Sequence, residues 1–421
     1  MTQLVRRAYR YRFYPTDEQA ETLCRTFGCV RLVYNKALQE RSAAWTLEHR
    51  RINYADTSAM LTEWKRAEEF AFLNEVSSVP LQQTLRHLQG AFAAFWDKRT
   101  GYPRFKSRKK SRASAEYTSS AFRYRDGQLF LAKMAEPIAI SWSRPLPEGA
   151  EPTTVTISRD AAGRWFVSML CEAAIDPLPA VESTVGVDAG LTSLVTLSTG
   201  EKVVNPRPER RDRERLARAR QELARKHANS NNAAKARLKV ARIHARIVDR
   251  RQDHLHKLTT RLVRDNQAIV IEDLTVRNMV RNHRLARAIS DAAWFEMRRQ
   301  LEYKCAWYGR TLVTIDPFYP SARQCGTCGA ISGKLPLSTR VWTCQCGATH
   351  DRDVNAARNI LAAGLAVMAC GAGVRPQRSF PQGQSALKQE IRPVTVGLPA
   401  RKGKEDVNYA PPGGKRPSPA G

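Results

Sequence analysis

Four cysteines carry the sharpest chemical signal in the chain. Cys325 and Cys328 flank Gly326-Thr327, and after fifteen intervening residues Cys344 and Cys346 flank Gln345. Two close thiolate pairs on glycine-bearing turns suit a tetrahedral Zn²⁺, and a closed set of this kind is structural rather than catalytic. The second pair is C-x-C where C-x-x-C is commoner, and His350 is close enough to replace one thiolate. The fourth ligand is therefore open between Cys346 and His350.

Three carboxylates form the second constellation. Asp188 ends the apolar run Val185-Gly186-Val187, Glu272 ends Ile269-Val270-Ile271, and Asp353 stands in Asp351-Arg352-Asp353-Val354-Asn355 at the start of a helical pattern. A carboxylate at the end of a buried strand is costly unless compensated. Three brought together repel one another unless cations lie between them. Two Mg²⁺ ions about 4 Å apart resolve that conflict and suit in-line attack of water on a phosphodiester. Taken singly, Asp188 could cap a turn, Glu272 could pair with an arginine and Asp353 could be an N-cap. Asp351 and Asp273 compete for their neighbours' roles, but Asp351 fits better as the N-cap and Asp273 falls on the opposite face of its strand.

These groups need elements to position them. Leu4 to Tyr14 alternates basic and aromatic residues up to Pro15, as a strand with one charged face would. Thr16 resembles a helix N-cap with Gln19 behind it, and helical patterns follow to Leu38, over 55–72 and from Val79-Pro80 onward. From 101 to about Cys171 the chain reads as short strands and turns, with Asp126-Gly127 dividing one hairpin and 160–163 another. A linker at 177–182 precedes the unit that carries the acids. Within it, 207–251 holds sixteen Lys/Arg against five Asp/Glu with a thin apolar stripe, which predicts a pair of exposed helices. A helix from 290 to 307 and a last one from 354 to 368 follow. The stretch after Gly371 is rich in Pro, Gly and basic residues without a period, and reads as a disordered basic tail over 371–421.

Across all 421 residues, 69 Lys+Arg against 40 Asp+Glu leave 69 − 40 = +29 charges. Such an excess calls for a polyanion, and nucleic acid fits best, because the basic residues run through folded-looking sequence and no basic amphipathic helix with a bulky apolar face stands out. No apolar run approaches the ~20 residues of a membrane span, and the basic N-terminus lacks the apolar block of a secretion signal. The remaining cysteines then read as reduced thiols, and the expected location is the cytoplasm of a bacterium, at the nucleoid.

The motifs together resemble a known family. Gly-Val-Asp-Ala-Gly-Leu at 186–191, Ile-Val-Ile-Glu-Asp-Leu at 269–274, and a four-cysteine ribbon running into Asp-Arg-Asp-Val-Asn-Ala-Ala-Arg-Asn-Ile at 351–360 resemble TnpB. TnpB is the transposon-encoded RNA-guided nuclease with a split RuvC domain, related to the miniature type V CRISPR effectors. Tyr11-Arg12-Phe13-Tyr14-Pro15, Arg31-Leu32-Val33-Tyr34-Asn35, Val79-Pro80 and Gly101-Tyr102-Pro103-Arg104-Phe105-Lys106 extend the resemblance over nearly the whole chain.

The resemblance implies a multidomain α/β protein: an RNase H-like (RuvC) nuclease core with an inserted zinc ribbon, plus a β-barrel wedge domain carrying an inserted helical recognition lobe. The implied boundaries are 1–28 and 103–180 for the wedge, 29–102 for the lobe, 181–320 and 350–370 for the nuclease, and 321–349 for the ribbon. The catalytic, Mg²⁺-holding acids by motif are Asp188, Glu272 and Asp353, and the zinc ligands are Cys325, Cys328, Cys344 and Cys346. The implied activity is guide-RNA-directed, Mg²⁺-dependent cleavage of double-stranded DNA beside a short motif, by a protein expected to be a monomer. The expected nucleic-acid contacts are Arg10, Arg12, Gln82, Gln83, Arg86, His87, Arg104, Lys106, Lys109, Arg218, Lys226 and Arg242. The competing readings are a regulator that binds without cutting and a DDE-type transposase.

Overall fold

A computed structural model describes residues 3–369 apart from 110, 334, 335 and 337; the expected tail lies outside the described residues. The chain opens with β1 (Gln3–Tyr14) and α1 (Asp17–Glu48). A capping box starts α1: the Gln19 N–H donates to Thr16 Oγ1 and the Thr16 N–H to Gln19 Oε1. The helix continues ten residues past the expected Leu38, because Ala44 is still buried on its inner face. Next come α2 (Tyr54–Arg66) and α3 (Ser78–Trp96), and then the strands β2 (Ala113–Thr118), β3 (Phe122–Arg125), β4 (Gln128–Leu131), β5 (Ala139–Ser141), β6 (Pro152–Arg159) and β7 (Trp165–Ile175).

Five of these strands form an antiparallel sheet in the order β2-β6-β7-β1-β5. Alternation along β1 sends Tyr9, Tyr11 and Phe13 inward and leaves Arg6, Arg10 and Tyr14 outward. One apolar core joins this sheet to the helices, with Leu23, Phe27, Val33 and Leu38 of α1 and Leu81, Leu85 and Leu88 of α3 packed together with Val155, Val167 and Met169.

The second half begins with β8 (Thr184–Ala189), β9 (Ser193–Leu197) and β10 (Lys202–Val204). The long basic hairpin α4 (Pro208–Ala224) and α5 (Asn231–Asp265) follows, then β11 (Ala268–Glu272), α6 (Val276–Met279), α7 (Ala286–Ala292), α8 (Trp294–Tyr308) and β12 (Thr311–Ile315). Where one helix over 290–307 was expected there are two, because Ala293 turns left-handed (φ 54°) between α7 and α8. The ribbon hairpin is β13 (Val341–Thr343) and β14 (Thr349–Asp351), and α9 (Arg352–Ala369) ends the described chain.

The second sheet runs β10-β9-β8-β11-β12, with β8, β11 and β12 parallel and β9 and β10 antiparallel to their neighbours. Its two faces bury different residues. Val185, Val187, Ile269 and Ile271 pack with Leu255 and Leu262 of α5 and Leu301 and Cys305 of α8. Gly186 and Val270 face α9 instead: a Cβ on Gly186 would collide with Ala357 O and Leu361 N, and one on Gly364 with both methyls of Val270. Two glycines thus allow α9 to lie directly on the strands. The α4–α5 hairpin is exposed over its distal part, as expected, but α5 continues fourteen residues beyond 251 into the core, burying Leu255, Leu258, Leu262 and Val263.

Candidate active site

Strand parity decides where the acids go. Asp188 lies two residues past Gly186 and Glu272 two past Val270, so both share the face occupied by α9. The pairing of β8 with β11 runs in register to Val187–Ile271, which sets Asp188 and Glu272 side by side at the carboxyl ends of adjacent parallel strands. α9 crosses Gly186 at Ala357 and Leu361, so its first turn, with Asp353, approaches the same end of the sheet. Asp351 caps that turn by accepting from the N–H groups of Asp353 and Val354, and it pairs with Lys202 at 2.7 Å. Asp273 falls on the opposite face, as its parity requires, and is held there by Arg298 of α8.

The electrostatics carry the mark of this convergence. Burial raises the Asp188 carboxyl, and the charges of Glu272 and Asp353 raise it further, to about 7, against a smaller pull from Arg352. Burial also raises Glu272, although the Ser321 hydroxyl donates to its Oε1 at 2.7 Å and opposes the shift. Arg340, between the two cysteine pairs, reaches back to Asp353 (3.4 Å) and Thr192 (3.1 Å). Ser321, Thr192 and Arg340 carry no sequence signal for this position, since only the folded ribbon and the loop after β12 deliver them.

The thiols of Cys325, Cys328, Cys344 and Cys346 all lie within 4.8 Å of one another. Cys325–Cys346 at 3.8 Å and Cys328–Cys344 at 3.6 Å are near the ~3.8 Å edge of a tetrahedron with Zn–S of about 2.3 Å. The donor set therefore fits Zn²⁺ through four thiolates. His350 is not a fifth member of that group; its Nε2 is 3.0 Å from Cys325 Sγ, the position of an outer partner that orients a ligand. The three carboxylates are not drawn in so tightly. Two ions about 4 Å apart, each with oxygen ligands at about 2.1 Å, span a wider group than one ion does.

The expected nucleic-acid contacts have mixed fates. Gln83 is buried on the inner face of α3, and His87, at the edge of that face, is engaged by Glu116 at 3.0 Å. His87 keeps about a third of its side chain, 32%, exposed. Gln82 and Arg86 are exposed, with Arg86 on Tyr54 (3.3 Å). Arg10 and Arg12 lie over the Phe166 ring at 3.8 and 5.4 Å. Lys106 lies over Tyr34 at 4.0 Å, while Arg104 and Lys109 are exposed. Arg218, beside Glu214, and Lys226 are exposed on the basic hairpin. Arg242 lines a cleft of about 440 Å³ between α4 and α5 together with Arg215, Lys235, Lys239 and Arg246, over the side chain of Ile243. Of these cations only Arg242 was expected; Lys235, Lys239 and Arg246 share its face of α5, and the pairing of the helices adds Arg215. No described helix is long and apolar enough to cross a membrane.

Comparison with known proteins bears on the same architecture. Residues 166–283 match a family model described as a probable transposase, 294–360 match the Cas12f1-like TNB domain, and 1–50 match a helix-turn-helix domain. That last segment is folded here as β1 followed by the single helix α1. A Streptomyces pristinaespiralis protein, named for an inferred RNA-guided DNA endonuclease activity, is 69% identical over 95% of this chain and 100% of its own length. InsQ of Escherichia coli (strain K12), named for the same inferred activity, is 36% identical over 91% of this chain and 98% of its own. Among solved structures, the Cas12f1 chain of a Cas12f1-sgRNA-target DNA complex shares the fold, with TM-score 0.52 at 13% identity over 85% of this chain and 98% of that one. With relatives so similar over nearly its whole length, the chain belongs to the TnpB family.

Proposed function

We propose that the chain is an RNA-guided DNA endonuclease whose β8–β12 sheet is an RNase H-like (RuvC) core with Asp188, Glu272 and Asp353 as its catalytic acids. The observation that carries the site is the pairing of β8 with β11, which sets Asp188 and Glu272 side by side on the face where α9 brings the Asp353 end of its first turn, and the raised Asp188 carboxyl agrees with it. The names of the close relatives support the activity. Divalent cations held by the three carboxylates, two Mg²⁺ in this reading, supply Lewis acidity and a more acidic water. The chain's own part is to hold Glu272 through Ser321, to aim α9 through the Asp351 cap, and to bring Arg340 against Asp353, where a guanidinium can meet a phosphate.

In this reading the first sheet, its two-stranded β3–β4 flap and the start of α1 form the barrel-like wedge (1–28 and 103–180), and the rest of α1 with α2 and α3 forms the recognition lobe (29–102). The nuclease comprises 181–320 and 350–370, with a zinc ribbon at 321–349. The Arg10–Arg12–Phe166 face and the α4–α5 cleft grip RNA and heteroduplex phosphates, consistent with the +29 balance.

The test incubates the purified protein–RNA complex with matched duplex and Mg²⁺, comparing wild type with Asp188→Ala and Glu272→Ala. Loss of cutting in both supports the assignment, and unimpaired cutting by both refutes it. The transposase description of the family model points to a second reading, which predicts strand transfer at transposon ends without RNA. RNase treatment that abolishes cutting excludes that reading.

A further inference from the structure

Two adjacent aromatics after β12 have opposite fates. Tyr319 packs inward against Val270, Val313, Ile315 and Ile360, whereas Phe318 is 90% exposed, more than any other large apolar side chain described. Single exposed apolar residues are ordinary on loose surface loops. This loop is not loose. Pro317 and Pro320 flank the pair, the Phe318 N–H donates to Asp316 Oδ1 at 2.7 Å, and the Tyr319 N–H donates to Asp316 O at 3.1 Å. Ser321 closes the loop, with its hydroxyl on Glu272 and its carbonyl accepting from Asn359 of α9. The ring is therefore held out in water by a frame whose other end is tied to a candidate catalytic acid.

Its position follows from the sheet. β12 is the edge strand beside β11, with Ile315 paired to Glu272, so the loop starts one strand spacing, about 4.8 Å, beyond that acid. Arg340 reaches Asp353 and Thr192, which follows β8 on the far side of β11. Phe318 and Arg340 thus belong to opposite flanks of the acid site. A flat apolar face on one flank and a cation on the other match the two parts of a single nucleic-acid strand, base and phosphate.

We propose that Phe318 is a stacking platform for a base of the DNA strand being cut, a nucleotide or two from the scissile bond, and that it holds that strand single and extended across the acids. Every base has a π-face, so the platform is indifferent to sequence, as cleavage directed by a guide requires. The proposal rests on the acid site above.

The test uses the full chain assembled with guide RNA and a matched duplex, and measures target affinity and single-turnover cutting separately. Phe318→Ala should slow cutting about ten-fold or more, the scale of losing one base–aromatic stack, with target affinity and melting temperature unchanged. Phe318→Trp should cut near the wild-type rate, and Phe318→Leu should remain slow. An abasic site walked along the cut strand should slow wild type at one position and add nothing there in Phe318→Ala. Wild-type cutting by Phe318→Ala, or equal loss in Phe318→Trp, overturns the proposal. Asp188→Ala separates the two readings: if it is dead while Phe318→Ala cuts normally, only the platform fails, and if it cuts, the acid site fails.

Discussion

At the residue scale, Asp188 stands in a conflict that the fold creates. Its carboxyl is raised from 3.8 to about 7, so the proton is bound more tightly in the folded chain than in the unfolded one. The linkage runs against the usual carboxylate: without cations, folding stability falls as pH rises from about 4 toward 7 and stays low above that. Asp188→Asn should therefore raise the melting temperature at pH 8 in chelator and have little effect at pH 4, which thermal unfolding at both pH values measures. Added Mg²⁺ should stabilise wild type more than this variant. Arg340 gives a second expectation, because it contacts Asp353 and yet lies in the ribbon. Arg340→Ala should lower the cutting rate ten-fold or more while leaving RNA affinity within two-fold, as read by single-turnover cleavage and filter binding. Asp188 and Glu272 were legible as acids ending apolar runs. Arg340 was not, because it lies in the loop between the two cysteine pairs rather than on a periodic element.

At the element scale, the site depends on how closely α9 lies on the sheet. A Cβ at Gly186 would meet backbone atoms of α9, which cannot rotate away. Gly186→Ala should cost about 3 kcal/mol, the upper end for overpacking, and should reduce cutting by displacing Asp353 relative to Asp188. Denaturant unfolding with a parallel cleavage assay checks both, and unchanged stability would show that the helix stands further off. The ribbon is the other dependent element: β13 and β14 are three residues each, too short to stand without a staple. Elemental analysis should find about one zinc per chain, absent in a Cys328→Ser/Cys344→Ser double variant, which should also lose cutting when Mg²⁺ is supplied. Of the α3 residues expected at nucleic acid, Gln83 falls on the buried face, while Gln82 and Arg86 stay exposed, a division set by where α3 meets the first sheet.

At the scale of the whole molecule, the charge is spread by the fold rather than by the composition. The α4–α5 cleft gathers five cations: Lys235, Lys239, Arg242 and Arg246 recur at helical spacing along one face of α5, and only the pairing of the two helices brings Arg215 of α4 to them. RNA affinity should fall steeply with salt, with a log–log slope approaching −0.7 to −0.9 per phosphate neutralised. Reversing Lys235 and Arg242 to Glu should flatten that slope by about 2 while the melting temperature holds, since both are exposed. A slope identical to wild type would place the RNA elsewhere.

The sequence by itself determined the chemistry on offer: four thiols at zinc spacing, acids at the ends of apolar strands, a capped helix start and a large positive balance. These are local properties, written in spacing, periodicity and residue type, which is why they survive without coordinates. The tertiary structure alone decided which acids share a face, that α9 closes over them, and that Arg340, Ser321 and Phe318 come to their edges. Those facts depend on strand order and on contacts such as Gly186 with Leu361, 361 − 186 = 175 positions apart, and no local pattern encodes a distance of that kind.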